Sequence, residues 1–377
     1  MKITHIEVER DFDDGALGHR ISALVKVGTD SGIVGCAFSR NDPRSFIDDA
    51  RHWLIGKDPH ALEEHLQHGL LYWASIEHAL WDIIGKAEGQ PVYKLLAGEQ
   101  PSSDEVKIYA SGGVCHAWYD DGEVALVEEA LRYKEAGYDT FKFRNGTSWK
   151  YSGMTMAKYI PILERLRTAV GPDFKLVLEK FPWPFELILK ELCPALEALG
   201  FYWFEEPVEH NGPAALEQHL AIKEAMPSVM VSGGESWWNR YQVEPFVAAG
   251  AMNIIQTDAN LSGLTEGWQI GQTVNRHGQM YCPHNWVGGL TTIANVHLVA
   301  GVPCGHMCEL NQTYNPLKWE IFKEPYLIEN GLLTIPDRPG YGVELIDDIE
   351  SRFPWKPGSY AKPNPVFEGE NLPLWWS

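Results

Sequence analysis

Residues 175–205 run Lys175-Leu176-Val177-Leu178-Glu179, then a helical pattern, then Phe201-Tyr202-Trp203-Phe204-Glu205. Each end is a short apolar run closed by an acid. Together they measure out a strand, a helix and a second strand, the unit that pairs strands in parallel. The unit extends in both directions. Its apolar runs are Val106–Tyr109, Thr140–Phe143, Lys175–Leu178, Phe201–Phe204, Val229–Ser232, Met252–Thr257, Gln279–Cys282 and His306–Cys308. Several begin soon after a Gly or Pro, and the later ones recur about every 25 residues, the length of one βα unit. Eight strands alternating with helices predict a parallel barrel. The rival, a doubly wound sheet, would carry a Gly-rich phosphate fingerprint after its first strand, and none is there.

On the N-terminal side, the first hundred residues read as a mixed α+β unit. Ile21–Val27 and Ile33–Phe38 flank the turn Thr29-Asp30-Ser31-Gly32, which predicts a hairpin. Helical patterns cover Ala61–Trp73 and Ser75–Gly85, and Gly98 and Pro101 close the segment. On the C-terminal side the alternation fades after Pro325. Leu332–Ile335 and Pro339-Gly340-Tyr341-Gly342 suggest strand and turn. The tail, with Pro354, Pro357, Pro363, Pro365, Pro373 and Trp375-Trp376, is poor helix material and is expected to drape over a surface or a neighbouring subunit. The chain thus divides into residues 1–104, 105–325 and 326–377.

Composition narrows the function classes. The chain has 377 residues, 45% of them hydrophobic, which suits a large barrel plus a smaller domain. Its net charge of -20 argues against nucleic acid and anionic membrane as partners. An anionic substrate would need local positive charge, from a metal or a few basic side chains. Six cysteines (Cys36, Cys115, Cys193, Cys282, Cys304, Cys308) are scattered without paired spacing and read as buried free thiols of a reducing compartment. Cys304 and Cys308 lack the second pair a zinc site needs. No apolar h-region follows Met1-Lys2-Ile3-Thr4-His5, and no apolar stretch reaches bilayer length, so a cytoplasmic location is expected.

The chemistry is written at the ends of the apolar runs. Glu179 follows Leu178, Glu205 follows Phe204, Glu235 follows Ser232-Gly233-Gly234, Asp258 follows Thr257, His284 follows Pro283 and Glu309 follows Cys308. Lys142 and Arg144 end the second run. Strand C-termini of such a barrel converge on one mouth, so groups far apart in sequence meet in space. One acid at a strand end is an ordinary loop acid; an acid at nearly every strand end has no structural explanation. Neighbouring carboxylates repel unless a cation sits among them, and hard oxygen donors favour Mg²⁺ over zinc. Glu179, Glu205 and Glu235, on successive strands, are therefore assigned as metal ligands. Adjacent strands would bring Asp258 to one nitrogen of His284, fixing its tautomer and raising its basicity.

The same residues resemble the enolase superfamily and, within it, the mandelate racemase-like branch. The resemblance covers most of the chain. It rests on Ala79-Leu80-Trp81-Asp82-Ile83-Ile84-Gly85-Lys86 with Gly89-Gln90-Pro91-Val92-Tyr93-Lys94-Leu95-Leu96, on Phe204-Glu205-Glu206-Pro207, Gly233-Gly234-Glu235, Gln256-Thr257-Asp258, Pro283-His284-Asn285-Trp286 and Pro339-Gly340-Tyr341-Gly342. It implies an N-terminal α+β capping domain, a TIM-like (β/α)7β barrel and a C-terminal segment returning to the cap. It also implies one essential Mg²⁺, a metal-stabilised enediolate, and a homo-oligomer. His284, oriented by Asp258, is then the base. Glu309 resembles the family's acid that hydrogen-bonds the substrate carboxylate, a role that requires a raised pKa. Two positions depart from the common pattern. The first ligand is Glu179-Lys180-Phe181 rather than Asp-Ala-Asn, and the usual Lys-X-Lys is Lys142-Phe143-Arg144. Both are similar to rhamnonate dehydratase-type members, but that similarity weakens beyond His284 and does not carry the substrate over.

The leading expectation is an acid sugar dehydratase, a hydro-lyase that removes the proton α to a carboxylate and eliminates the 3-hydroxyl to give a 2-keto-3-deoxy acid. The alternatives are a racemase or epimerase of a 2-hydroxy acid and a non-catalytic barrel that only binds. Lys180, beside a metal acid, is open between base, contact to a substrate oxygen, and pairing with an acid. Trp286, like Trp183, Trp237 and Trp238, lies just past a strand end, where it would wall the substrate or pack a loop against the cap. His19, Arg20 and Arg40 fall in or beside cap loops that would close the mouth.

Overall fold

The structure, a computed structural model, describes residues 1–12, 22–39, 46–113, 122–144, 153–179, 183–286, 288–312 and 316–353. His19, Arg20, Arg40, Cys115, Lys180 and the Pro-rich tail lie outside the described residues.

The N-terminal unit is an antiparallel sheet of β1 (Ile3–Phe12), β2 (Ser22–Thr29) and β3 (Val34–Ser39), in that order. The β2–β3 hairpin runs in register from Ala23↔Ser39 to Gly28↔Val34, around a turn in which Gly32 takes φ +82. Alternation along the strands gives the sheet two buried faces. Val25, Val27 and Ala37 pack with Ile76, Ala79, Leu80 and Ile83, whereas Leu24 and Phe38 join the barrel's core. Four helices follow: α1 (Ile47–Leu54), α2 (Leu62–His68), α3 (Ala74–Glu88) and α4 (Val92–Ala97). α3 ends at Gly89, whose left-handed backbone (φ +67) is the usual helix stop.

The second unit alternates strand and helix: β4 (Glu105–Gly112), α5 (Gly122–Glu135), β5 (Thr140–Phe143), α6 (Met156–Val170), β6 (Lys175–Glu179), α7 (Cys193–Ala198), β7 (Trp203–Glu205), α8 (Ala215–Ala225), β8 (Met230–Gly233), α9 (Arg240–Ala248), β9 (Ile254–Ile255), α10 (Ala259–Arg276), β10 (Met280–Tyr281), α11 (Leu290–Gly301) and β11 (Cys308–Asn311). β4 to β10 pair in parallel in sequence order. A parallel bridge from Tyr281 to Gly305 and the parallel pairing of β11 with β4 close the ring. This is the (β/α)7β barrel. Its interior is plugged by Tyr109, Val177, Trp203, Ile254, Cys282 and Met307. Each lies two residues before Ser111, Glu179, Glu205, Gln256, His284 or Glu309. A step of two keeps the same face of a strand, so these apolar side chains form the floor beneath a polar layer at the mouth.

After the barrel, β12 (Leu327–Glu329) and β13 (Leu332–Thr334) make a hairpin whose turn holds Asn330 and Gly331 at positive φ. β13 pairs antiparallel with the start of β4. The chain then reaches α3, where Tyr341 N–H donates to Asp82 Oδ1 (3.0 Å) and its hydroxyl to the His78 carbonyl (3.1 Å). Among the described residues, no helix is long and apolar enough to cross a membrane, and Cys36, Cys193, Cys282, Cys304 and Cys308 are free thiols.

Candidate active site

Glu179 and Glu205 are the last residues of β6 and β7 and stand side by side in the ladder; Glu235 lies two residues beyond β8. Each offers one carboxylate oxygen, and the three oxygens lie within 4.8 Å of one another. Glu179 and Glu205 are buried and Glu235 is partly open. An all-carboxylate set of this size fits a hard divalent cation and lacks the sulfur and nitrogen donors of softer metals.

Two basic side chains of β5 and its C-terminal end reach the same acids. Lys142, almost completely buried, places Nζ against Glu205, 2.9 Å from Glu309 and 3.4 Å from Glu179. Arg144 pairs with Glu179. Glu205 is further fixed by Gln256 Nε2 (2.7 Å) and Trp203 Nε1 (3.2 Å), both donating to Oε2. Burial opposes a charged Lys142, but Glu205 and Glu309 outweigh it and raise its pKa above the ordinary value. Lys142 is therefore a fixed cation in the floor of the site.

His284 and Asp258 meet across adjacent strands. His284 Nδ1 donates to Asp258 Oδ2 at 2.9 Å, which leaves Nε2 facing the acids, 3.5 Å from Glu235 Oε2. Asp258 is fully buried and caps α10; its Oδ1 accepts from Asn260 N (2.9 Å), Asn260 Nδ2 (2.7 Å) and Asn295 Nδ2 (3.0 Å). Burial pushes the imidazole pKa down, but Glu235, the Asp258 hydrogen bond and Glu309 push it further up, to about 9.

Glu309, on β11, is fully buried and accepts from Asn285 N at 2.7 Å. Its role in the sequence-based expectation requires a raised pKa, and the structure gives the reverse. Burial raises it, but Lys142 and then His284 outweigh burial and hold the carboxyl at about 2. The sequence shows Glu309 and Lys142 only as two strand ends; their 2.9 Å approach past the intervening β4 is the first cause of the reversal.

The candidate aromatic walls separate. Trp237 is core, packed on Phe246 (4.8 Å between ring centroids) and bonded to Asn211. Trp238 is exposed and meets Tyr72 of the cap edge-on at 5.9 Å. Trp183 packs near Tyr159, and Trp286 is half-buried, with its carbonyl accepting from Asn311 Nδ2 at 2.8 Å. The neutral partners Gln256, Asn285 and Asn295 escaped the sequence reading, which sought ionisable groups. The signal for two of them was present, because Gln256 and Asn285 stand inside motifs that also hold Asp258 and His284.

Comparison with known proteins agrees with this geometry. The family model described as "Enolase C-terminal domain-like" matches residues 125–349. D-galactarolactone cycloisomerase of Agrobacterium fabrum is 29% identical, over 94% of this chain and 99% of that protein. Arabinonate dehydratase of Saccharolobus solfataricus is 32% identical, over 75% of this chain and 72% of that protein. The crystal structure of 3,6-anhydro-D-galactonate cycloisomerase from Zobellia galactanivorans matches with a TM-score of 0.79 at 26% identity, covering 94% of this chain and 100% of that one. With the ring of eight strands, the converging carboxylates at its mouth and a family match over more than half its length, this chain belongs to the enolase superfamily.

Proposed function

We propose that the chain is a Mg²⁺-dependent acid sugar dehydratase, removing the proton α to a carboxylate and expelling the 3-hydroxyl to leave a 2-keto-3-deoxy acid. The observation that carries this reading is the pairing of one oriented base with cations that are poor bases. His284 has Nδ1 committed to Asp258 and Nε2 turned to the acids. Racemisation needs a base on each face of the planar intermediate. Arg144 offers a guanidinium, which is a poor proton acceptor. Lys142 is tied to Glu205 and Glu309. Elimination needs only one face.

Glu179, Glu205 and Glu235 would hold the cation, which supplies Lewis-acid stabilisation of the negative charge that develops when the α-proton leaves. Glu235, were it engaged as a ligand, would pull less on the His284 proton, and the imidazole would be neutral closer to working pH. Nε2 then takes the α-proton. The resulting imidazolium donates it to the departing 3-hydroxyl, water leaves, and the enol product relaxes to the 2-keto acid. Arg144, partly exposed beside Glu179, is placed to meet a substrate oxygen.

The test is a library of aldonates and aldarates, with their lactone and anhydro forms, incubated with enzyme and MgCl2 and assayed for 2-keto acid. The reading expects keto acid from at least one open-chain member. Conversion of cyclic forms alone would replace hydroxide with a ring oxygen as the leaving group, and C2 inversion alone would favour the racemase.

A further inference from the structure

The cap motif around α3 has no part in the chemistry above, yet it grips the segment that carries Asp258. That segment leads into α10, and α10 is not continuous. Gly263 (φ +73, ψ 177) breaks it, so the helix restarts at Leu264 and its first amide groups have no helical acceptor. Glu77 of α3 fills that need. Its Oε2 accepts from Leu264 N–H at 3.0 Å and its Oε1 from Thr265 N–H at 2.8 Å. Burying a carboxylate completely is costly unless such donors meet it. The break is shaped around the acid, because a Cβ at Gly263 would lie 1.7 Å from Glu77 Oε2.

The neighbouring residue holds the other end of the segment. His78, also buried, donates from Nε2 to the Ala259 carbonyl at 2.9 Å. Ala259 N–H donates to Asn295 Oδ1 (3.0 Å), and Asn295 Nδ2 donates to Asp258 Oδ1 (3.0 Å). Trp81 Nε1 adds a bond to Thr265 Oγ1 at 3.0 Å. One cap helix therefore fixes residues 259–265 at both ends, and the residue just before them is the carboxylate that orients His284.

We infer that Glu77 and His78 are positioning residues for the Asp258–His284 pair, so that the cap helix as well as the barrel aims the base. The inference rests on the proposed role of His284 as base. Glu77→Gln keeps the shape but replaces one of the two accepting oxygens by an amide NH2, which then faces an N–H donor. Gly263→Ala pushes on the same contact from the barrel side. His78→Phe removes the bond to Ala259. None of these positions belongs to the cation-binding acids.

The first readout needs no substrate. In ¹⁵N-histidine-labelled enzyme with MgCl2, the Nδ1–H resonance of His284 is identified by its loss in His284→Asn. In each of the three variants it is expected to shift or to exchange away. The second readout is turnover of the acid sugar found in the library. A base misaimed by less than an ångström lowers kcat by about 10–10²-fold, while KM is expected to stay within about threefold. Variants that melt at lower temperature but keep the wild-type resonance, kcat and KM would overturn the inference, since Glu77 and His78 would then be structural only. Wild-type enzyme that converts no acid sugar counts against the dehydratase reading instead, and the resonance still decides the clamp.

Discussion

In the proposed reaction Asp258 and His284 would divide the labour of one proton transfer, and their 2.9 Å contact says what each loss would remove. His284→Asn deletes the acceptor Nε2 but leaves Glu179, Glu205 and Glu235 untouched. Exchange of the substrate α-hydrogen with D2O is expected to vanish while the Mg²⁺-induced rise in melting temperature survives. Asp258→Asn keeps the ring but replaces the carboxylate accepting from Nδ1, and is expected to cost about 10²–10⁴-fold in kcat, the scale of general acid–base help. An α-hydrogen that still exchanges in His284→Asn would move the base elsewhere. At this scale the residues that meet at the barrel mouth were legible because ionisable groups at strand ends are conspicuous. Their protonation was not. Glu309 was expected to hold its proton, and the approach of Lys142 to 2.9 Å, together with His284, reverses that.

The three clustered acids stand at or just past the ends of three different strands, β6, β7 and β8, so they can be tested singly. Glu205→Gln and Glu235→Gln should both abolish the Mg²⁺-induced thermal shift, and EDTA should abolish turnover of the wild type. The two variants differ without metal. Glu205 is buried against Lys142, and its neutralisation is expected to cost about 1.5–3 kcal/mol of stability, the range for a hydrogen bond to a charged group. Glu235 is partly open, so Glu235→Gln is expected to lower the metal-free melting temperature less than Glu205→Gln does. Full turnover after EDTA treatment would remove the metal from the account. The strands themselves were legible as apolar runs, but their limits were not. His306–Cys308 stops where the apolar character stops, whereas β11 continues through Glu309 and Asn311 because its ladder with β4 pairs backbone, not side chains. β1 was missed altogether. Its register shifts between Ile3 and His5, which breaks the alternation a sequence reading relies on and puts Ile3 and Ile6 both inside.

At the scale of the whole molecule, the junction between cap, barrel and C-terminal segment is built on buried groups that resist charging. His78 lies between α3 and α10, and burial holds its pKa at about 4. His297 accepts from Tyr93 N at Nδ1 (3.0 Å) and faces Tyr326, and burial holds it at about 3. Both have an ordinary value of 6.5, so below that pH the unfolded chain binds two protons that the folded one refuses. Glu77 works the other way. Burial raises it to about 7 from 4.5, so the folded chain gains one proton as pH falls through that window. Across these three groups the difference near pH 5 is about one proton in favour of unfolding, and their share of stability is expected to fall by about 1.4 kcal/mol per pH unit there. Urea melts at pH 6, 5.5 and 5 measure this slope, and His297→Gln should flatten it. Equal midpoints across that range would contradict it. None of this was visible in the sequence, where His78, His297 and Glu77 are three residues of unremarkable helical segments.

The claim on which the account stands is that one base removes an α-proton and a β-oxygen departs. It is tested most directly by incubating the Mg²⁺ enzyme with acid sugars in D2O and following the products by NMR. The account expects a 2-keto-3-deoxy acid carrying deuterium at C3, formed by wild type and absent with His284→Asn. Inversion at C2 with no keto acid from any substrate, or unimpaired keto acid formation by His284→Asn, would contradict it.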